Sequence, residues 1–294
     1  MTKAVAAVPL KAGTAKVVKP KLGQHFLSDQ AAAIRIVAAL GDTSQATVLE
    51  IGPGRGALTS MLARRARRLI TVELDRVLAA QLRMKFALAP NIEVIEGDIL
   101  AVDLDALFGP KPGSTRPGLK LALEQVTVVG NLPYFITSDI LFRLFEYRRY
   151  FTSIVLMVQR EVADRLAAEP GTKDYGMLAA TTQLYANVEK LFTLGPSSFS
   201  PPPKVHSTVV RLTPASNLET LGVPEAPFIA FLKLAFGQKR KTLANNLKTQ
   251  YGAAELKAAF AKAHIKSEVR AEALSLEKTA ALFCALPSTP QLVQ

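Results

Sequence analysis

Short apolar runs alternate with amphipathic stretches through the first half of this 294-residue chain. Residues 28–40 have helical spacing, with Ile34, Val37 and Ala38 on one face, Ser28 or Asp29 as N-cap and Gly41 as stop. Thr47–Ile51 is a continuous apolar run of strand length that ends in a glycine turn, and 58–68 reads as the helix that follows. The alternation then repeats, with strands at 69–74, 92–95, 126–129 and 153–158 and helices at 76–88, 138–147 and 161–168. Strands alternating with helices predict an α/β fold, a doubly wound parallel sheet whose ligands bind at the carboxyl ends of its strands.

The pattern changes further along. Residues 109–120 are rich in Pro, Gly and basic side chains and read as a surface loop. Residues 213–227 are polar, carry three prolines and read as a linker. Beyond it, 228–286 have helical periodicity and little strand character. The expected organisation is therefore a basic arm over 1–21, an α/β domain over 22–212, a linker over 213–227 and a small helical domain over 228–294.

Composition narrows the partners. The formal charge is +12, which favours a polyanionic partner, most often nucleic acid, over a merely solvated basic surface. A single cysteine, Cys284, excludes an internal disulfide and points to a reducing compartment, the cytoplasm. His25, His206 and His264 are scattered and form no metal-ligand pattern with it. The apolar runs are broken by charge well short of the ~18 residues a membrane span needs.

Candidate chemistry clusters at predicted strand ends. The first strand runs into Leu49-Glu50-Ile51-Gly52-Pro53-Gly54-Arg55-Gly56. Glycines here let the backbone approach a ligand, but the spacing is not that of a dinucleotide fingerprint. Glu50 inside the turn disfavours a pyrophosphate and suits a ligand with an ammonium group. Glu73 lies 21 positions after Gly52, where an acid can accept ribose hydroxyls. Asp98, after the third strand, can accept from an adenine amino group. Two acids and a short glycine turn describe a nucleoside without phosphates, and S-adenosylmethionine fits where NAD does not. The plain alternative is a set of tight turns with solvated acids.

The fourth strand ends in Asn131-Leu132-Pro133-Tyr134. The amino nitrogen of adenine is a poor nucleophile because its lone pair is delocalised into the ring. Acceptors on its hydrogens, the Asn131 amide oxygen and the Leu132 carbonyl, help that pair localise. Pro133 restricts the turn, and Tyr134 offers a face for a base. Phe199, on the proline-stiffened Ser-Phe-Ser-Pro-Pro-Pro segment, is the candidate for the other face. Its alternative is a hydrophobic anchor for that loop.

These residues carry a resemblance to the ribosomal RNA adenine dimethyltransferases, most of all to their bacterial small-subunit branch. The matching segments are Lys21-Leu22-Gly23-Gln24-His25-Phe26-Leu27, the turn at 50–56, Glu73-Leu74-Asp75, Asn131-Leu132-Pro133-Tyr134 and Ser198-Phe199-Ser200-Pro201-Pro202-Pro203-Lys204-Val205-His206-Ser207. Further likeness lies in Gln159-Arg160-Glu161-Val162-Ala163-Asp164-Arg165-Leu166 and Phe236-Gly237-Gln238-Lys239-Arg240-Lys241. The resemblance implies a Rossmann-like methyltransferase domain with a small helical domain. It also implies transfer of two methyl groups from S-adenosylmethionine to N6 of each of two adjacent adenosines, in a hairpin near the 3′ end of small-subunit RNA late in ribosome assembly.

Carried over by residue, it implies a cofactor site of His25, Leu27, Gly52, Gly54, Glu73, Asp98 and Asn131. Two positions depart from the usual pattern, His25 where Asn is common and Phe135 where Asn commonly follows the tyrosine. Phe135 is expected in the core, or else as a second ring in the base pocket. RNA contacts are expected from Arg64, Arg65, Arg148, Lys239, Arg240 and Lys241, and the chain is expected to be a monomer. Competing readings are an adenine-N6 methyltransferase of DNA or large-subunit RNA, a non-catalytic assembly factor, and an NAD oxidoreductase.

Overall fold

The structure, a computed structural model, describes residues 25–109 and 125–287. The expected arm at 1–21, the first four residues of the Lys21–Leu27 motif and all but Gly109 of the 109–120 loop lie outside the described residues. The chain divides into two compact units, one of residues 1–160 and 191–211, the other of 161–190 and 212–294.

The first unit begins with β1 (Phe26–Leu27) and α1 (Gln30–Ala38), then alternates through β2 (Thr47–Ile51), α2 (Thr59–Leu62), β3 (Arg68–Glu73), α3 (Arg76–Lys85), β4 (Ile92–Glu96), α4 (Leu104–Phe108), β5 (Val126–Asn131), α5 (Thr137–Glu146) and β6 (Phe151–Gln159). The four pairings among β2 to β6 are all parallel. β2 is buried along its whole length, as expected for a parallel strand covered on both faces. Close packing of β2 on β5 depends on Gly130, where a Cβ would lie 2.9 Å from the Ile51 carbonyl oxygen.

The first helix is capped as the sequence predicts. Asp29 caps α1 by accepting from the Ala32 N–H at 3.0 Å. Asp75 caps α3 through the N–H groups of Val77 and Leu78. The buried face of α1 differs from expectation: it is Ala32, Ala33, Ile36 and Val37, and Ile34 is 50% exposed. The two stripes share Val37 and differ by roughly a third of a turn, and the observed one joins the core cluster that holds Leu62, Leu69 and Phe199. The helix expected over 58–68 is a single turn, α2, followed by irregular backbone.

In the second unit α6 (Arg160–Leu166, its first residue belonging to the first unit) and α7 (Met177–Tyr185) precede β7 (Ala186–Leu194). After β8 (Phe199–Ser200) and β9 (Ser207–Pro214) come α8 (Asn217–Leu221), α9 (Glu225–Ala235), α10 (Leu243–Leu247), α11 (Ala253–Lys262) and α12 (Leu276–Ala285). Its core includes Phe228, Phe231 and Phe283, with Phe283 centred 5.4 Å from each of the others. The expected linker at 213–227 contains α8 and the first turn of α9, and 161–190 groups with the C-terminal residues.

Seven strands hydrogen-bond in the order β4-β3-β2-β5-β6-β9-β7, and β1 pairs antiparallel with β8. From β2 the chain winds to β3 and β4 on one side and resumes at β5 on the other. That reversal opens a crevice at the carboxyl ends of β2 and β5.

Candidate active site

A cavity open at its mouth lies over that crevice. Its walls come from the carboxyl ends of four parallel strands: Gly52 and Gly54 after β2, Glu73 from β3, Asp98 after β4, and Asn131 with Leu132, Pro133 and Tyr134 from β5. His25 closes one side. Residues from Gly52 to Tyr134 thus meet because parallel strands deliver their ends to one edge.

The glycine turn is built to leave backbone room. Gly52 and Gly54 have φ of +64° and +57°, a region that favours glycine. A Cβ on Gly54 would lie 2.9 Å from the Phe26 ring. The Gly54 N–H donates to Glu73 Oε2 and the Asp75 N–H to Glu73 Oε1, each at 2.9 Å. This buried carboxylate is thereby fixed in orientation, and each oxygen keeps a lone pair for a ligand. Asp98 is exposed at the cavity wall, with Oδ1 accepting from the Leu100 N–H at 2.9 Å.

Asn131 is held from outside β5. Its Nδ2 donates to the His25 carbonyl at 3.0 Å. That bond fixes which end of the amide is which, so Oδ1 is the group left to accept from a ligand. His25 Nδ1 donates in turn to the Pro201 carbonyl at 2.8 Å, and its ring stacks on Tyr134 with centroids 5.9 Å apart. Tyr134 Oη lies 2.7 Å from Ser207 Oγ. The Leu132 N–H bonds the Met157 carbonyl on β6, and Thr137 Oγ1 donates to the Pro133 carbonyl. The segment 131–134 is therefore braced from three directions.

Some expected residues are elsewhere. Phe199 is 3% exposed, pairs with Leu27 across β1 and β8, and belongs to the core of the first unit. It does not line the cavity, so the role of hydrophobic anchor describes its placement and the base contact does not. Leu27 is buried with it and borders a smaller cavity beneath the glycine turn. Phe135 is 63% exposed and lines the main cavity, so the expected core packing is corrected: the short helical turn of Tyr134–Ile136 directs it away from the interior.

Arg64 and Arg65 are exposed but precede β3, and Arg148 precedes β6 with its guanidinium on the Phe145 carbonyl. Helix-to-strand connections of a parallel sheet lie at its amino edge, a strand length of about 17–20 Å from the cavity. Lys239, Arg240 and Lys241 form an exposed turn after α9 in the second unit. Sequence reasoning gave no role to Ser207 or to Phe26, whose parts depend on contacts distant in sequence. It placed Glu50 toward a ligand, whereas Glu50 is buried and accepts from Thr59 Oγ1 at 2.7 Å. Among the described residues no group of three His, Cys, Asp or Glu could hold a metal ion, and no helix is long and apolar enough to cross a membrane.

A parallel sheet with a glycine turn, acids at the next two strand ends and a polar, aromatic tip at the fourth defines a Rossmann-like methyltransferase. A family model, ribosomal RNA adenine dimethylase, matches residues 15–287. The chain is 58% identical over 265 residues to a protein of Koribacter versatilis named ribosomal RNA small subunit methyltransferase A, covering 90% of this chain and 93% of that one. It is 53% identical to the protein of the same name from Acidobacterium capsulatum, covering 90% of each. Among solved structures, a dimethyladenosine transferase from Plasmodium falciparum superposes with a TM-score of 0.68 at 26% identity, covering 88% of this chain and 96% of that one. The 23S rRNA methyltransferase ErmE gives 0.66 at 28% identity, covering 89% and 99%. The chain belongs to the ribosomal RNA adenine dimethylase family and is an rRNA adenine methyltransferase.

Proposed function

We propose that this chain transfers methyl groups from S-adenosylmethionine to N6 of two adjacent adenosines, in a hairpin near the 3′ end of small-subunit rRNA, late in subunit assembly. The observation that carries the reading is the Asn131 amide, locked by His25 at the end of β5 beside Tyr134, in one cavity with Glu73 and Asp98. The names of the relatives from Koribacter and Acidobacterium support the small subunit as substrate.

The residues present fit S-adenosylmethionine. The positive-φ glycines line the cavity, and a Cβ at Gly54 would press on the Phe26 ring that borders it. Glu73, braced by two N–H groups, suits the ribose hydroxyls, and Asp98 suits the adenine amino group. His25 and Gly52 border the same space, while Leu27 is buried in the core beside Phe199. When bound, S-adenosylmethionine supplies a methyl group on a sulfonium that needs no further activation.

The chain's own part is positioning and hydrogen bonding. The target adenine must leave its stack to enter the cavity, where Tyr134 gives it a face. Asn131 Oδ1 and the Leu132 carbonyl accept from its amino hydrogens and favour the geometry in which the nitrogen lone pair points at the methyl group. After one transfer a single N–H remains, and one acceptor then suffices. The proton becomes acidic only as the new bond forms, and water can take it. The exposed turn Lys239–Arg240–Lys241 supports phosphate contacts that position RNA without reading its sequence.

The test is methylation of undermethylated small subunits, with large subunits and DNA alongside, using radiolabelled S-adenosylmethionine and digestion to nucleosides. N6,N6-dimethyladenosine from small subunits alone is expected, with transfer by Asn131→Ala about 10²- to 10³-fold slower and cofactor still bound. Label only in large subunits would move the target toward that of ErmE. An inactive Asn131→Ala that still supported subunit maturation would make RNA binding the principal role.

A further inference from the structure

Two aromatic residues stand side by side at the end of β5 and are treated differently by the fold. Tyr134 is half-buried, tied through its hydroxyl to Ser207 and stacked on His25. Phe135 lines the same cavity but leaves 63% of its surface to solvent. The turn that carries it is fixed on both sides. Leu132 is buried, the Ile136 N–H bonds the Pro133 carbonyl, and Thr137 Oγ1 bonds the same carbonyl. Rolling Phe135 inward would break these bonds to the Pro133 carbonyl, which hold the turn.

A single exposed apolar side chain is ordinary on a protein surface. This one stands on the lip of a ligand cavity, next to the ring that faces the target base, in a chain of net charge +12. Unpaired nucleotides present successive bases, and aromatic side chains bind them by stacking whatever their identity. When one base enters the cavity beside Tyr134, its neighbour along the strand is left at the mouth without its stacking partner. Phe135 is the flat apolar surface available there.

We propose that Phe135 is a platform for the nucleobase adjacent to the target adenine, stacking on it at the cavity mouth while the target occupies the cavity. The proposal rests on the rRNA reading above and extends it to a second nucleotide. In a substrate with two adjacent adenosines, a neighbour of the one being methylated sits on this ring. The platform acts on RNA binding, in KM more than in kcat, because it does not touch the reacting nitrogen.

A synthetic hairpin with two adjacent adenosines and the same hairpin with either one replaced by an abasic residue are titrated against wild type, Phe135→Ala and Phe135→Trp by fluorescence anisotropy. In each abasic hairpin the remaining adenosine is the target and its neighbour base is gone. Wild type and Phe135→Trp are expected to bind the abasic hairpins about 10- to 100-fold more weakly than the intact one, and Phe135→Ala to bind both equally weakly. Cofactor affinity and thermal stability of Phe135→Ala should match wild type, which separates the platform from a folding role. Losses from Phe135→Ala and from the abasic site that multiply as independent effects overturn the platform, as does tight binding of every hairpin by Phe135→Ala while wild type methylates the intact one. A wild type that neither binds nor methylates the intact hairpin overturns the rRNA reading and the platform with it.

Discussion

Replacing Glu50 by Gln isolates the cost of a charge buried under the glycine turn. Glu50 is 1% exposed and its Oε2 accepts from Thr59 Oγ1 at 2.7 Å. Burial disfavours the carboxylate and pushes its pKa from 4.5 to about 7, with the Thr59 hydroxyl opposing and the Glu73 charge adding to the rise. In the unfolded chain the group titrates at its ordinary value. Between pH 4.5 and 7 the folded protein therefore holds a proton that the unfolded chain has lost. The stabilisation from this group is complete below pH 4.5 and is lost as pH rises through about 7.

The distance between those two values corresponds to about 3 kcal/mol at roughly 1.4 kcal/mol per pH unit. Of that, about 2.5 kcal/mol falls between pH 5 and 8. Glutamine keeps an oxygen for Thr59 and does not titrate. Whatever its offset at pH 5, Glu50→Gln should gain about 2.5 kcal/mol relative to wild type by pH 8. Urea unfolding of both proteins at half-unit steps of pH, followed by circular dichroism, measures it. A stability difference that stays constant with pH would mean that Glu50 is ionised in the folded protein, and the burial argument would be wrong.

Two further outcomes test the site's construction. Gly54→Ala places a side chain at φ +57° and 2.9 Å from Phe26, and should cost about 1–3 kcal/mol of stability; calorimetry should also show weaker S-adenosylmethionine binding, since the Gly54 N–H holds Glu73, and unchanged affinity would count against this role of the turn. The double change Arg64→Ala with Arg65→Ala should leave KM for small subunits within about two-fold, whereas replacing Lys239, Arg240 and Lys241 together should raise it and flatten its dependence on salt by up to about three log units per log unit; an equal effect of the two sets would put the amino edge of the sheet in contact with RNA.

Much of this protein can be read from local chemistry. Thr47–Ile51 was legible as a strand to the residue because a parallel strand covered on both faces is a continuous apolar run. Gly52, Glu73, Asp98 and Asn131 were legible as one site because each ends a strand, and parallel strands end on one edge. Periodicity failed where two faces of a helix were nearly equal in hydrophobicity, as at Ile34, and it gave no strand at β7, where Glu189 and Lys190 interrupt the apolar residues. Neither pattern names the face that will find a partner.

Tertiary structure alone decided the rest. Phe199 and Phe135 exchange their expected places. Phe199 pairs with Leu27 across β1 and β8 and is drawn into the core, while the turn at Tyr134–Ile136 turns Phe135 outward. Asn131 is oriented by the carbonyl of His25, 106 positions away, and Tyr134 by Ser207, 73 positions away. The residue types that do chemistry are properties of the chain. Which atom of each faces the ligand depends on hydrogen bonds that close only when distant segments pack, and no local pattern encodes those.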